Sequence, residues 1–495
     1  MPLSGALERH AARNPENPAF HLDGRVLSYG ALSATARRLH ATFSAMAPDG
    51  QSSIGPDNRL VALVTGNHAL FPAAFAAATS GHMCAALIDP HLPEAIRQRL
   101  LDKIDPDLVV TAEGDELRVT DPRGGFAEII TEQAEATDPA LPEGQADAPF
   151  LIVFTSGTTA DPKPIIRDRR SWRISLATGA PFFGITGQTS TYAPGPLAHG
   201  LALYAMTECL LAGAAFHSTR HFDAHAAQMT IREHAMQRLV LVPTMLRRLC
   251  EGAPLAEVAA ITVAGAKLTA GDHALCGRHF PGAALREYYG ASELGFITVT
   301  APGDAASSTA VGKAFPGVAI SVLDAAGKPL PAGETGTVFV ESPLVATGYL
   351  GSGDGTGLAR FGALATVGDL GFLEVDGTLH LLGRAGGMVL SGGNNIYPSE
   401  VEAALQSLPL VRAAHVFGRD HADLGSELVG VIEPAAPGLT AAALTTALAD
   451  LLPRYKQPRR LWLCAKMPTT PSGKVEAKTV RQWVAEESDV LEPLR

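Results

Sequence analysis

A lysine that follows small hydroxyl residues at the end of an apolar strand suits the binding of a polyanion. Leu151 to Ile165 reads LIVFTSGTTADPKPI. Such a run exposes backbone N–H groups and hydroxyls that can wrap phosphate, and Lys163 adds a point charge. A Ser/Thr/Gly surface turn is the plain alternative, and composition alone does not separate the two. The common nucleotide loop, GxxxxGK followed by Ser or Thr, does not occur. GASEL, Gly290 to Leu294, nearly spells a serine-hydrolase elbow, but Leu294 stands where glycine is needed. GSGDGTG, Gly351 to Gly357, looks like a dinucleotide fingerprint without its strand–turn–helix setting and reads as a flexible loop. The scattered cysteines form no CxxC pair, which argues against a zinc cage or a disulfide framework.

These residues need elements to hold them. Tyr29 to Ser44 has helical spacing, Leu60 to Thr65 reads as a buried strand, Ala69 to Ser80 as an Ala-rich helix and Leu108 to Thr111 as a strand. The rhythm resumes with Leu151 to Thr155, Leu239 to Val242 and Ile261 to Val263. This alternation predicts an α/β fold with helices on both sheet faces. Beyond Pro316, short strands with turn signals predict an antiparallel, β-rich subdomain. A last unit begins near Arg384 to Gly386. Pro398 opens a helix there with Val401, Ala404, Leu405 and Leu408 on one face, and strands at Ala413 to Phe417 and Leu428 to Ile432 precede a helix near Ala441 to Leu452. The expected domains are 1–384 and a smaller α+β unit, 385–495.

With 495 residues, 46% apolar and 18% charged, the chain can bury large cores. Its net charge of -11 argues against nucleic acid or anionic lipid as partner. No signal-peptide core opens the sequence, and no apolar stretch reaches the ~20 residues that span a bilayer. A cytoplasmic protein without a membrane span is expected.

Six signatures stand in order: TSGTT with Pro162-Lys163, PLAHG at Pro196 to Gly200, VAGAKL at Val263 to Leu268, YYGASE at Tyr288 to Glu293, VGDLG at Val367 to Gly371 with Gly383-Arg384, and PTTPSGK ending at Lys474. The set resembles the adenylate-forming superfamily of acyl-CoA synthetases, aryl-CoA ligases, luciferases and peptide-synthetase adenylation domains, and AMP-forming acyl-CoA synthetases most of all. The resemblance implies that a carboxylic acid is activated by ATP to an acyl-adenylate, and that the acyl group then passes to the thiol of coenzyme A. It implies that Thr155, Ser156, Gly157, Thr158, Thr159 and Lys163 grip phosphates, and that Glu293 ligates Mg²⁺ with Thr158 assisting. Tyr289, grouped with Glu287, Tyr288 and Gly290 in the nucleotide site, would stack on adenine while Ala264, Gly265 and Ala266 pass along the base edge. Asp369 would accept the ribose hydroxyls, and Arg384 would contact the ribose or α-phosphate. Lys474 would bridge the carboxylate and the α-phosphate, with His199 near the acyl group. Rotation of a mobile C-terminal domain about Gly386 would then withdraw Lys474 and present Gly392 and Gly393 to the pantetheine arm.

The chain departs from the family pattern at Ala160, Pro164 and Gly386, which motivates one rival, a non-catalytic nucleotide-binding paralogue. A second rival is a ligase that loads an acyl carrier protein, with Arg454, Lys456, Arg459 and Arg460 as a basic acceptor patch. Arg167, Arg169, Arg170 and Arg173 read as a solvated helix face, with a coenzyme A phosphate site as the alternative. The acyl pocket is expected among Gly200 to Met206, Val242 to Met245, Gly265 to Lys267 and Tyr288 to Phe296, mostly apolar segments that suit a fatty or aryl acid. GLALY after His199 lacks the aspartate that holds an α-amino group, so an amino-acid substrate is disfavoured.

Overall fold

The computed structural model describes residues 3–46, 52–122, 127–155, 162–304, 307, 309–351, 358–384, 387, 389–391, 394–421, 425–449, 451–470 and 473–494, with the backbone alone at 155, 384, 390, 394, 395 and 425. The expected flexible loop at 352–357 and the departures at Ala160 and Gly386 lie outside the described residues.

The α/β expectation holds. An eight-stranded and a nine-stranded sheet carry the larger part of the chain. In the first, Arg59–Val64, Met83–Leu87, Leu108–Glu113 and Pro149–Thr155 run parallel to their neighbours. In the second, Arg238–Leu241, Ala260–Val263 and Ala284–Ala291 are parallel. Met83–Leu87 is buried along its whole length, which explains its unbroken apolar run. The helix Phe71–Ala78 is buried on every side because alanine lets it lie close to the sheet.

Antiparallel strands extend both sheets. Lys163–Asp168 folds back on Pro149–Thr155, so that Thr155 and Lys163 face each other across the ladder. Lys163 thus opens a strand rather than sitting within a loop, and Pro164 is paired opposite Phe154. The meander after Pro316 is present as a six-stranded sheet containing Ala319–Leu323, Gly336–Glu341, Asp369–Leu373 and Leu379–Arg384. A further six-stranded sheet holds Val389–Ser391, Val411–His421, Gly425–Pro434 and Arg460–Cys464. The helices Pro398–Gln406, Ala441–Ala449 and Ala477–Ala485 accompany it in the chain.

No described helix is long and apolar enough to cross a membrane. The carboxyl ends of the parallel strands lead into Asp89, into 156–161, into Val242 to Thr244 and into Ala264-Gly265. In open α/β sheets, ligands gather at that edge.

Candidate active site

The strand Ala284–Ala291 carries two tyrosines in succession, and strand geometry sends them to opposite faces. Tyr289 donates its hydroxyl to Asp369 Oδ2, across a separation of eighty residues in sequence. Asp369 in turn pairs with Arg384 in the ladder of the neighbouring sheet. The expected adenine and ribose residues therefore lie together, with the backbone of Arg384 beside them.

Tyr288 departs from the expectation that grouped it with the nucleotide residues. Its ring packs against Phe296 at 4.6 Å and lines a cavity with Tyr204, which agrees with its place in the segment Tyr288 to Phe296 expected to contribute to the acyl pocket. Glu287 departs as well: its carboxylate accepts hydrogen bonds from the ammonium of Lys267 and from the Leu268 amide, the latter at 3.0 Å. That carboxylate braces the Ala264 to Leu268 loop. Gly290 could carry no side chain, because a Cβ there would stand 2.5 Å from the carbonyl oxygen of Gly295.

Gly265 adopts φ +93, a conformation that favours glycine. The Lys474 side chain comes to this loop from the C-terminal sheet's side of the chain, and a Cβ on Gly265 would lie 3.7 Å from Lys474 Cε. The approach is fixed by a short hairpin in which Thr470 N–H donates to the Lys474 carbonyl at 2.7 Å. Gly473 at its tip accepts a hydrogen bond from Thr244 Oγ1 at 3.4 Å. A tail lysine, which on its own would be solvated, is thus docked over the ends of the nine-stranded sheet.

Glu293 is 8% exposed, and its Oε1 accepts the Tyr349 hydroxyl at 2.8 Å. The same ring lies 5.6 Å from Lys163 Nζ, so Tyr349 links the expected metal ligand to the expected phosphate lysine. It does so because Gly348–Tyr349 pairs antiparallel with Lys163–Asp168. Arg167 steadies the same corner, donating to the carbonyls of Ser292 at 3.0 Å and Leu344 at 2.7 Å. A buried carboxylate is a hard oxygen donor, and it fits Mg²⁺ chemistry.

Two of the four arginines therefore do not form a solvated face. Arg167 is buried in a strand, and burial pulls its guanidinium down to about 10. Arg169 is fully buried and donates to the carbonyls of Ala148, Pro149, Thr79 and Met83. These carbonyls take the donors of both Nη groups, while Nε has no partner among the described residues. Arg170 and Arg173 match the expectation, pairing at the surface with Asp147 and Glu143.

His199 immediately precedes the helix Gly200–Ala212, and its Nε2 lies 3.6 Å from Asp89 Oδ2. Burial pushes the Asp89 carboxyl up, but the nearby His199 ring and hydrogen bonds from the amide and ring of His91 outweigh it and hold the group at about 2. Asn67 fixes the preceding loop, accepting from Leu197 N–H at 2.8 Å and donating to the Gly195 and Thr219 carbonyls. Asp89, Asn67 and Tyr349 carry no motif of their own, although Asp89 lies two residues beyond the end of the strand Met83–Leu87.

Of the remaining expected residues, Ala264 is buried and Ala266 exposed, both beside Gly265. Ser156, Gly157, Thr158, Thr159, Gly386, Gly392 and Gly393 lie outside the described residues, and Thr155 is described by its backbone alone.

Residues 7–350 match the family model described as AMP-binding enzyme, and residues 400–474 match the AMP-binding enzyme C-terminal domain. An uncharacterized acyl–CoA ligase of Bacillus subtilis is 30% identical over 86% of this chain and 88% of its own. A fatty acid–[acyl-carrier-protein] ligase of Mycobacterium marinum is 27% identical over 94% of each chain. The solved structure of an O-succinylbenzoate coenzyme A synthetase from Bacillus subtilis, in complex with ATP and magnesium ion, superposes with a TM-score of 0.81 and 22% identity over 96% of this chain and 99% of that one.

Proposed function

The chain belongs to the AMP-binding enzyme family, and from that premise we propose that it is an AMP-forming acyl-CoA synthetase acting on a fatty or aryl carboxylic acid. The observation that carries the reading is the docking of Lys474 against Gly265, over the strand ends beside which Tyr289 meets Asp369. It brings a cation from the C-terminal unit to the place where two anions must meet.

A free carboxylate is a poor acyl donor because its leaving group would be oxide. In the proposed first step a carboxylate oxygen bonds to the α-phosphorus of ATP, the bond to the β-phosphate oxygen breaks, and pyrophosphate leaves. Lys474 neutralises charge shared by the carboxylate and the α-phosphate, while Lys163 and the 155–159 segment hold the departing phosphates. Tyr289 and Asp369 hold adenine and ribose, with Arg384 at the ribose or α-phosphate. Glu293, steadied by Tyr349, would hold Mg²⁺ together with Thr158, and the ion would neutralise phosphate charge. A solved structure of the same fold containing ATP and magnesium supports this assignment.

In the second step the thiol sulfur bonds to the acyl carbon, the mixed-anhydride C–O bond breaks, and AMP leaves. We place the domain boundary at 384–386, between Leu379–Arg384 and Val389–Ser391, which belong to different sheets. Rotation there about Gly386 would exchange Lys474 for Gly392 and Gly393.

Carboxylate-dependent ATP–pyrophosphate exchange over an acid panel tests the reading. Exchange with octanoate or benzoate but no amino acid is expected. ATP binding without exchange for any acid refutes it. The carrier-protein reading has the Mycobacterium marinum relative in its favour. Its basic patch is already partly neutralised, since Lys456 pairs with Glu400 at 2.7 Å and Arg460 with Glu427 at 3.5 Å. Side-by-side thioesterification of coenzyme A and of a holo-carrier protein separates the two acceptors, with coenzyme A expected to be the better one.

A further inference from the structure

The helix Gly200–Ala212 carries one charged residue, Glu208, which lies buried in its last turns. Its Oε2 accepts from Arg238 Nη2 at 2.8 Å, and Arg238 is 3% exposed. Each partner keeps one buried polar atom without a hydrogen bond among the described residues: Oε1 of Glu208 and Nη1 of Arg238. Both residues line the cavity walled by Leu201, Tyr204, Val240, Tyr288 and Phe296. The open space there is small, with room for about one water-sized group.

This arrangement is costly for an apolar acyl pocket. A buried ion pair must be fully hydrogen-bonded to offset its desolvation, and here an acceptor and a donor are both left over. Its place in the fold says what completes it. Residue 208 lies ~13 Å along the helix from residue 199, and helical side chains lean back toward the N-terminus. Arg238 opens the strand whose far end leads to Val242 and the Lys474 hairpin. The pair therefore lies beneath the reacting centre, at the end of the acyl site remote from the carboxylate.

We propose that Glu208 and Arg238 recognise a hydroxyl group at the far end of the substrate acid, an inference that rests on the acyl-CoA synthetase reading above. A hydroxyl oxygen accepts from Arg238 Nη1 while its proton is donated to Glu208 Oε1, so one group satisfies both. The pair is neutral as a whole, which selects against charged tails. A second carboxylate would meet Glu208, and an ammonium would meet Arg238. A plain alkyl or phenyl end leaves both atoms unpaired, the situation in which enzymes discriminate most strongly against a substrate lacking a hydroxyl.

The test compares kcat/KM for acid-dependent exchange within matched pairs: 4-hydroxybenzoate with benzoate, 4-hydroxycinnamate with cinnamate, and 8-hydroxyoctanoate with octanoate. At least one hydroxylated acid should exceed its parent by 30-fold or more. Glu208→Leu combined with Arg238→Met, which removes both charges together, should reduce that ratio to below about 3. Equal or inverted ratios in all pairs for the wild-type enzyme, or a preference for dicarboxylic acids, overturn this inference alone and leave an ordered water as the pair's only partner. Exchange with no acid at all overturns the synthetase reading and this one with it. If the double variant does not fold, the wild-type ratios decide.

Discussion

Replacing Gly473 by alanine should separate the two half-reactions. Gly473 adopts φ +78 at the tip of the lysine hairpin. A Cβ there would stand 2.7 Å from Thr244 Oγ1 and 2.8 Å from Val242 Cγ2. The left-handed backbone costs an alanine ~1–2 kcal/mol wherever the hairpin lies, so that part affects stability and not the choice of conformation. The contact with Val242 and Thr244 exists only while the hairpin is docked. Overpacking of this kind costs ~1–3 kcal/mol, which slows adenylation by roughly 5- to 150-fold at 1.36 kcal/mol per decade. Acid-dependent ATP–pyrophosphate exchange reads the first half. Thioester formation from a chemically prepared acyl-adenylate reads the second, which should stay within about 3-fold because Lys474 is withdrawn in the proposed cycle. Val242→Ala in the same chain removes the γ-methyl carbons and should restore part of the exchange. If both half-reactions fall together, or the second falls further, the docked hairpin is not specific to adenylation and the two-conformation reading fails.

Two further outcomes follow from contacts that carry no motif. Tyr349→Phe keeps the ring beside Lys163 but removes the hydroxyl donated to Glu293. A hydrogen bond to a charged group is worth ~1.5–3 kcal/mol, so if its loss is felt in full at the metal the Mg²⁺ concentration for half-maximal exchange should rise by roughly 10- to 150-fold, and an unchanged Mg²⁺ titration would count against Glu293 as a metal ligand. His21 and His217 stack on neighbouring strands with ring centroids 3.8 Å apart. Burial first, then repulsion from His234, holds His21 at about 4, and burial, then repulsion from His21 and His234, holds His217 at about 2, both below the ordinary 6.5. The folded state thus binds fewer protons than the unfolded one. The stabilising effect is full above about pH 6.5 and is lost as pH falls toward 4. With His21 discounted for its remaining contact with water, a shift from pH 7.5 to 5.5 should cost on the order of 2 kcal/mol. Thermal unfolding at both pH values should show that loss in the native protein and less of it in the double variant His21→Phe, His217→Phe; an identical slope in both would place the titration elsewhere.

The local elements were legible because periodicity and burial agree in them. Helices at Tyr29–Met46 and Pro398–Gln406 and strands at Arg59–Val64 and Ala260–Val263 fall where apolar spacing puts them. Residues that act by meeting another part of the chain were legible only through an ordered set of motifs. Tyr349 gives no local signal. Its role arises when a two-residue strand pairs with Lys163–Asp168, a contact of long sequence separation that no window of spacing contains.

The arginines after the phosphate segment show the opposite error, in which a usual rule is applied to residues whose partners are backbone. Charged side chains are mostly solvated, yet Arg169 is buried because the carbonyls of Thr79, Met83, Ala148 and Pro149 converge on it. The Tyr288-Tyr289 pair is different again, since its answer was available. Adjacent residues of a strand point to opposite faces, so if Tyr289 walls the nucleotide site as proposed, Tyr288 faces away from it, toward the segments proposed for the acyl site. Tyr289 at Asp369 and Tyr288 at Phe296 obey that parity. On the proposed reading this strand partitions the two substrates, and any change that slips its register by one residue would exchange the walls. The Cβ-excluding contact between Gly290 and Gly295, next to the irregularity at Tyr289/Gly290, holds that register, so a side chain at Gly290 should disturb nucleotide and acid binding together rather than either alone.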